Sequence, residues 1–136
     1  MSKTIFITGA TGYVGCHMVH RFLLQGHTVV ALVRGKKGVS PRERLEAAVL
    51  EVGPLDASAL GRMNVIDGTV HEAADQLVAK CQALNLGRLD EVWHSAAIFN
   101  FKERERPQVQ ATNIEGTRHL LDFALQLNGN ALPRFV

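Results

Sequence analysis

The sequence predicts an α/β protein, a parallel sheet with helices on both faces, and three observations predict it. Short apolar runs rich in β-branched residues alternate with longer segments of helical period along the whole 136-residue chain. The second such run, Val29-Val30-Ala31-Leu32-Val33, is apolar without interruption, which suits a central strand covered on both sides. Glycines cluster where the first run hands over to the first helical segment, the place where a tight strand-to-helix reversal needs them.

Composition sets the outer bounds. With 46% apolar and 21% charged residues, the chain has the profile of a soluble globular protein, and a single domain over residues 1–136 is expected. A formal net charge of +2 is too small to argue for nucleic acid. Met1-Ser2-Lys3 runs straight into Thr4-Ile5-Phe6-Ile7, so neither a secretion signal nor a membrane span is expected and the cytoplasm is the expected location. Cys16 and Cys81 lie far apart with no metal-ligand spacing; reduced thiols and no metal site are expected.

Taken in order, the first strand is expected from Lys3 to Thr8 and the first helix from Gly12 to Gln25, with Val14, Met18, Phe22 and Leu23 inward and Gly26 closing it. The second strand spans His27 to Arg34. Ser40-Pro41 reads as cap and first residue of a second helix, with Glu43 completing a capping box and Leu45, Ala48, Val49 and Val52 buried. Asn64-Val65-Ile66 is a short third strand, followed by a helix from Glu72 to Leu86 with Ala73, Leu77, Cys81 and Leu84 inward. Glu91 to His94 is the fourth strand. A long helix from Val109 to Gln126 then carries Ile114, Leu120, Leu121 and Ala124 inward, and Pro133-Arg134-Phe135-Val136 enters a fifth strand in which the chain ends.

The motif Thr8-Gly9-Ala10-Thr11-Gly12-Tyr13-Val14-Gly15 carries the chemistry. Gly9 permits the turn, Gly12 lets the main chain approach a pyrophosphate without a Cβ in the way, and Gly15 lets the helix pack closely on the strand. Amide groups at the start of the helix, those of Tyr13 and Val14, are left to donate to phosphate, and the helix dipole adds about 0.3–1 kcal/mol. Flanked by a strand, a helix and a second strand, this is a dinucleotide cradle of the Rossmann type, with Gly9, Thr11, Gly12, Tyr13, Val14 and Gly15 as the candidate cofactor contacts.

The end of the second strand selects the dinucleotide. A carboxylate there would receive the ribose hydroxyls of NAD(H), but the residues are Val33-Arg34-Gly35-Lys36-Lys37. Arg34 offers a planar fork to a 2′-phosphate, a contact of roughly 1.5–3 kcal/mol, so NADP(H) is expected over NAD(H). Lys36 and Lys37 read as a solvated basic loop.

Two more segments join the glycine turn in carrying a resemblance. The Gly-x-x-Gly-x-x-Gly spacing, Val92-Trp93-His94-Ser95-Ala96-Ala97, and Thr112-Asn113-Ile114-Glu115-Gly116-Thr117 resemble the extended and atypical short-chain dehydrogenases/reductases, and the likeness spans nearly the whole chain. It implies a three-layer Rossmann fold, Ala96 and Ala97 as the wall against the nicotinamide half, Asn113 as a brace of the active-site floor, and close helix packing at Gly116. More narrowly, Val33-Arg34-Gly35 with Glu43-Arg44-Leu45 and the Leu89–Phe101 stretch are similar to the NADP-binding domain of thioester reductases and fatty acyl-CoA reductases, the male sterility type. That implies an acyl-thioester substrate. Nucleotide-sugar epimerases share the motifs and stand as the alternative, beside a non-catalytic NADP(H)-binding module. One departure is Ile66-Asp67-Gly68-Thr69, which puts Thr69 where the family has an acid against adenine.

The family's Tyr-x-x-x-Lys pair has no counterpart here. The one tyrosine, Tyr13, lies inside the phosphate turn, so no catalytic residue is assigned, and His94 is read as a packing or hydrogen-bonding residue. The chain is therefore expected to be the N-terminal portion of a longer reductase, inactive alone. An exposed sheet edge at the fifth strand leads to the expectation of a homo-oligomer.

Overall fold

A computed structural model describes residues 2–70, 72–86, 88–95, 114–129 and 133–136. Its strands are β1 (Thr4–Thr8), β2 (Thr28–Val33), β3 (Met63–Asp67), β4 (Glu91–His94) and β5 (Arg134–Phe135). Its helices are α1 (Tyr13–Leu24), α2 (Pro41–Val52), α3 (Ala57–Gly61), α4 (Ala74–Ala83) and α5 (Gly116–Leu127). The strands form one parallel sheet in the order β3-β2-β1-β4-β5. Chain order reverses between β1 and β4, and a doubly wound sheet opens its ligand crevice at such a reversal, outside the carboxyl ends of the strands.

Alternation along the strands fills two cores. Ile7, Val29, Ala31 and Val33 face α1, α2 and α3 through Val19, Leu23, Leu45, Val49 and Ala59. Phe6, Val30, Leu32 and Val92 face α4 and α5 through Leu77, Cys81, Leu120, Phe123 and Ala124. The unbroken apolar run of β2 is thus explained, since both of its faces are buried. Phe6 and Phe123 meet with ring centroids 4.7 Å apart, tying β1 to α5. Burial pushes the Cys81 thiol up to about 12, so this cysteine is a small core residue rather than a reactive one.

Several expectations need correction. The buried face of α1 is Gly15, Cys16, Val19 and Leu23, whereas Val14 is exposed and Met18 and Phe22 are only partly covered. Gly15 must face the turn that precedes the helix, and that contact sets the helix phase. In α4, Leu77 and Cys81 are inward but Ala73 and Leu84, which flank the helix, are exposed. Ile114 precedes α5 and is 55% exposed, while Phe123 takes the central place in the core. The start expected for that helix near Val109 lies outside the described residues. The short α3 was not expected; Asp56 caps it by accepting from the Ala59 amide at 2.8 Å, but five residues are too few to show a helical period. In α2, Ser40 Oγ accepts from the Glu43 amide at 3.1 Å, as the cap requires.

At the foot of the sheet Glu91 is buried, with Lys3 Nζ 2.7 Å from Oε2 and Trp93 Nε1 donating to Oε1 at 2.8 Å. The Lys3 ammonium, then the Trp93 indole, hold its carboxyl below the usual glutamate range. At the other end of β4, burial holds the His94 imidazole below its ordinary value. In both cases the unfolded chain binds protons that the folded one refuses, so stability falls as pH falls. The expected profile is a first loss below about pH 6.5 from His94 and a second below the glutamate range from Glu91. Denaturant unfolding from about pH 7 to about pH 2.5 checks it: Glu91→Gln should flatten the limb below the ordinary glutamate value only, and an unaltered limb would refute the assignment.

Candidate functional site

The site is the C-terminal edge of β1, β2 and β4. Leaving β1, the chain turns at Gly9, whose φ of +69° lies in the left-handed region that glycine adopts without strain. The Gly12 amide donates to the Gly9 carbonyl at 3.1 Å and closes the turn. Gly15 then seats α1 against that turn: a Cβ added there would stand 2.0 Å from the Gly9 oxygen and 2.9 Å from the Ala10 Cα. At Gly12 the same operation meets only the Gly9 oxygen, at 3.3 Å, and the residue is exposed. Gly15 therefore serves packing, and Gly12 keeps an outer surface bare.

The helix that starts here is uncapped. Gly12 has no side chain to accept a bond, the first turn holds no acidic residue, and the first amide with a backbone acceptor is that of Cys16, on the Gly12 carbonyl at 3.0 Å. By contrast α2 and α3 are capped by Ser40 and Asp56. The amides of Tyr13, Val14 and Gly15 thus have no acceptor among the described residues, and together with the helix dipole they form a patch suited to an anion. The Tyr13 ring is 82% exposed and packs on His17 with centroids 4.8 Å apart.

Around this turn the structure gathers two arginines. Arg34 is exposed just beyond β2. Arg44, on the first turns of α2, donates through Nη1 to the Arg34 carbonyl and through Nη2 to Thr11 Oγ1 at 3.5 Å. One guanidinium thereby ties the end of β2 to the glycine turn through the Arg34 carbonyl and the Thr11 hydroxyl. Sequence reasoning placed Arg44 only within a resemblance and gave it no role. Its signal is spatial, because 33 positions separate it from Thr11.

On the other side of β1, Thr8 Oγ1 and His94 Nδ1 lie 2.7 Å apart, and Ser95 Oγ donates to the Thr8 carbonyl. These bonds lock the ends of β1 and β4 together at the mouth of the crevice. Ala96, Ala97 and Asn113 lie outside the described residues. Gly116 is buried, and a Cβ there would come within 2.7 Å of Val70 Cγ2, so the close helix approach implied for it is present. Among the described residues no group of histidines, cysteines and acids could hold a metal ion. What the site offers is a row of amide donors and two guanidinium groups, the chemistry of anion binding.

An uncapped glycine turn between the first strand and helix of a doubly wound parallel sheet defines a nucleotide-binding Rossmann domain. The male sterility protein family, an NAD-binding family, matches residues 7–136, and the chain belongs to it. Fatty acyl-CoA reductase 1 of Rattus norvegicus is 29% identical over 135 residues, covering 92% of this chain and 26% of that protein. The thiolation-reductase di-domain of an archaeal non-ribosomal peptide synthetase superposes with a TM-score of 0.74 at 24% identity, over 91% of this chain and 32% of that one. A UDP-glucose-4-epimerase of Stenotrophomonas maltophila with bound NAD gives 0.66 at 24% identity, over 98% and 36%. The chain is an NAD(P)-binding domain of that family, and it spans less than a third of the length of the fatty acyl-CoA reductases it matches.

Proposed function

We propose that residues 1–136 form the NADP(H)-binding, N-terminal portion of a reductase that acts on an acyl thioester or a related carbonyl compound. The pyrophosphate lies on the amides of Tyr13 and Val14 over the bare surface of Gly12, within the turn made by Gly9, Thr11 and Gly15. Arg34, joined by Arg44, receives the 2′-phosphate, and Ala96 and Ala97 wall the nicotinamide half. NADPH, when bound, supplies the hydride. The chain's own residues bind and orient it; Thr8, His94 and Ser95 hold the floor of the crevice in one arrangement. The sequence at the end of β2, Arg34-Gly35-Lys36-Lys37 without an acid, and the Arg44 guanidinium that donates to the Arg34 carbonyl carry this reading, because an acid there would repel a 2′-phosphate.

Family membership and likeness to the rat fatty acyl-CoA reductase support an acyl-thioester substrate. Two free, buried cysteines fit a cytoplasmic setting. The outer edge of β5 has no partner strand among the described residues, which supports self-association at that edge in the isolated chain. Calorimetric titration tests the cofactor assignment: NADPH is expected to bind at least about tenfold more tightly than NADH. Equal affinity would overturn the NADP(H) assignment, and heat from neither would overturn dinucleotide binding.

A further inference from the structure

At the side of the sheet away from β5, β3 is the outer strand, and an outer strand presents amides and carbonyls to which another chain can add. Its bonds to β2 include the Val29 amide to the Arg62 carbonyl at 2.9 Å and the Gly68 amide to the Val33 carbonyl at 3.2 Å. Main-chain groups alternate sides along a parallel strand, so those of Met63, Val65 and Asp67 face outward. Two of these three carbonyls are taken. Arg42 reaches round from α2, donating through Nη1 to the Met63 carbonyl at 2.5 Å and through Nη2 to the Leu60 carbonyl at 3.0 Å. Lys80 reaches round from α4, on the opposite face of the sheet, and donates to the Asp67 carbonyl at 2.7 Å. Each cation is held by an acid, Arg42 by Glu46 at 3.0 Å and Lys80 by Glu72 at 2.8 Å. Between them a cavity of about 300 Å³, walled by Pro41 and Leu84, opens on Val65, whose amide and carbonyl have no partner among the described residues.

We propose that Arg42 and Lys80 close this edge to strand addition by a second copy of the chain. An added strand needs the outward carbonyls of Met63, Val65 and Asp67 in succession. With the first and last already bonded, and a long side chain lying across each, the groups of one residue remain, too few for a ladder. The edge of β5 is different: Arg134 and Val136 donate inward to Asp90 and Val92 at 3.1 and 2.8 Å, which leaves the main chain of Phe135 facing outward with no such cation across it among the described residues. The sheet is therefore open to another strand on one side only. The Arg42 and Lys80 side chains keep 44% and 41% of their surface in solvent, so their ion pairs add little to stability, and their role at the edge is separable from folding.

Sedimentation velocity over a concentration series tests this on wild type, Arg42→Ala, Lys80→Ala, the double variant, and a control with Lys36→Ala and Lys37→Ala, which removes the same charge from the exposed loop after β2. The double variant frees two carbonyls, and two regained main-chain bonds should tighten self-association at least about tenfold over wild type, with each single variant in between. The control should match wild type. In the associated double variant, hydrogen exchange should slow at Met63, Val65 and Asp67, whereas association at the β5 edge would slow Phe135, so the two edges are read apart. Adding Val65→Pro, which deletes the central outward amide and leaves the bonds to β2 in place, should reverse the gain. A double variant that associates no more than wild type, a control that gains as much, slowing confined to Phe135, or a gain that survives Val65→Pro overturns the proposal. Should the double variant fail to fold by circular dichroism, the single variants decide: a gain in either supports, none in both overturns.

Discussion

Gly15→Ala is expected to lower stability by about 1–3 kcal/mol and to remove dinucleotide binding. The new methyl group would stand 2.0 Å from the Gly9 oxygen and 2.8 Å from its carbonyl carbon, and these are backbone atoms that cannot swing aside as a side chain would. Gly9 already sits at φ +69° and accepts the turn-closing bond from Gly12, so relief requires α1 to lift away from β1. Lifting it opens the packing of Cys16, Val19 and Leu23 on Ile7 and Val29 and moves the free amides out of line. Gly12→Ala provides the contrast. Its methyl group meets one atom, at 3.3 Å, so stability should change by less than about 1 kcal/mol, while NADPH affinity falls because the methyl occupies the surface facing the phosphates. Thermal unfolding with calorimetric titration separates the two glycines. Equal stability losses would refute the division of labour, as would a Gly12→Ala protein that binds like wild type.

The same contact shows where sequence reasoning succeeds and where it stops. The order of strands and helices was legible because each core-facing position obeys a period, and β4 was read at its observed bounds, Glu91–His94. The glycine turn was legible because its spacing encodes a local backbone shape. The phase of α1 was not. Apolar periodicity put Val14, Met18 and Phe22 inward, but the helix is turned so that its smallest residue, Gly15, meets the turn, and Val19 and Leu23 follow at intervals of four. Hydrophobicity does not weigh a close approach that only a missing Cβ permits. Arg44 escaped for another reason. On an exposed helix turn after Ser40-Pro41 it looks like any solvated cation, and its partners, Thr11 and Arg34, come from elements that only the folded sheet brings together.

The second large effect concerns those arginines. Removing either Arg34 or Arg44 should weaken NADPH by roughly ten- to a hundredfold, the worth of a charge-assisted bond to phosphate of about 1.5–3 kcal/mol, and leave NADH nearly unchanged, since NADH lacks that phosphate. The two losses should not add. Arg44 donates to the Arg34 carbonyl and reaches Thr11, so Arg44→Ala frees the end of β2 and displaces Arg34 as well as deleting its own charge. The double variant should therefore fall short of the product of the single effects while lowering NADPH to the affinity of NADH. Arg44→Lys separates charge from bracing: a lysine restores a cation but cannot reach both partners with one planar group, so it should recover part of the NADPH affinity and less of the coupling. Titrations of both cofactors against the four proteins, at two ionic strengths, complete the cycle. Screening should compress the NADPH preference of wild type and leave the double variant indifferent to salt; strict additivity would show that Arg44 acts on the phosphate alone, and an unchanged cofactor ratio in every variant would remove both arginines from the site.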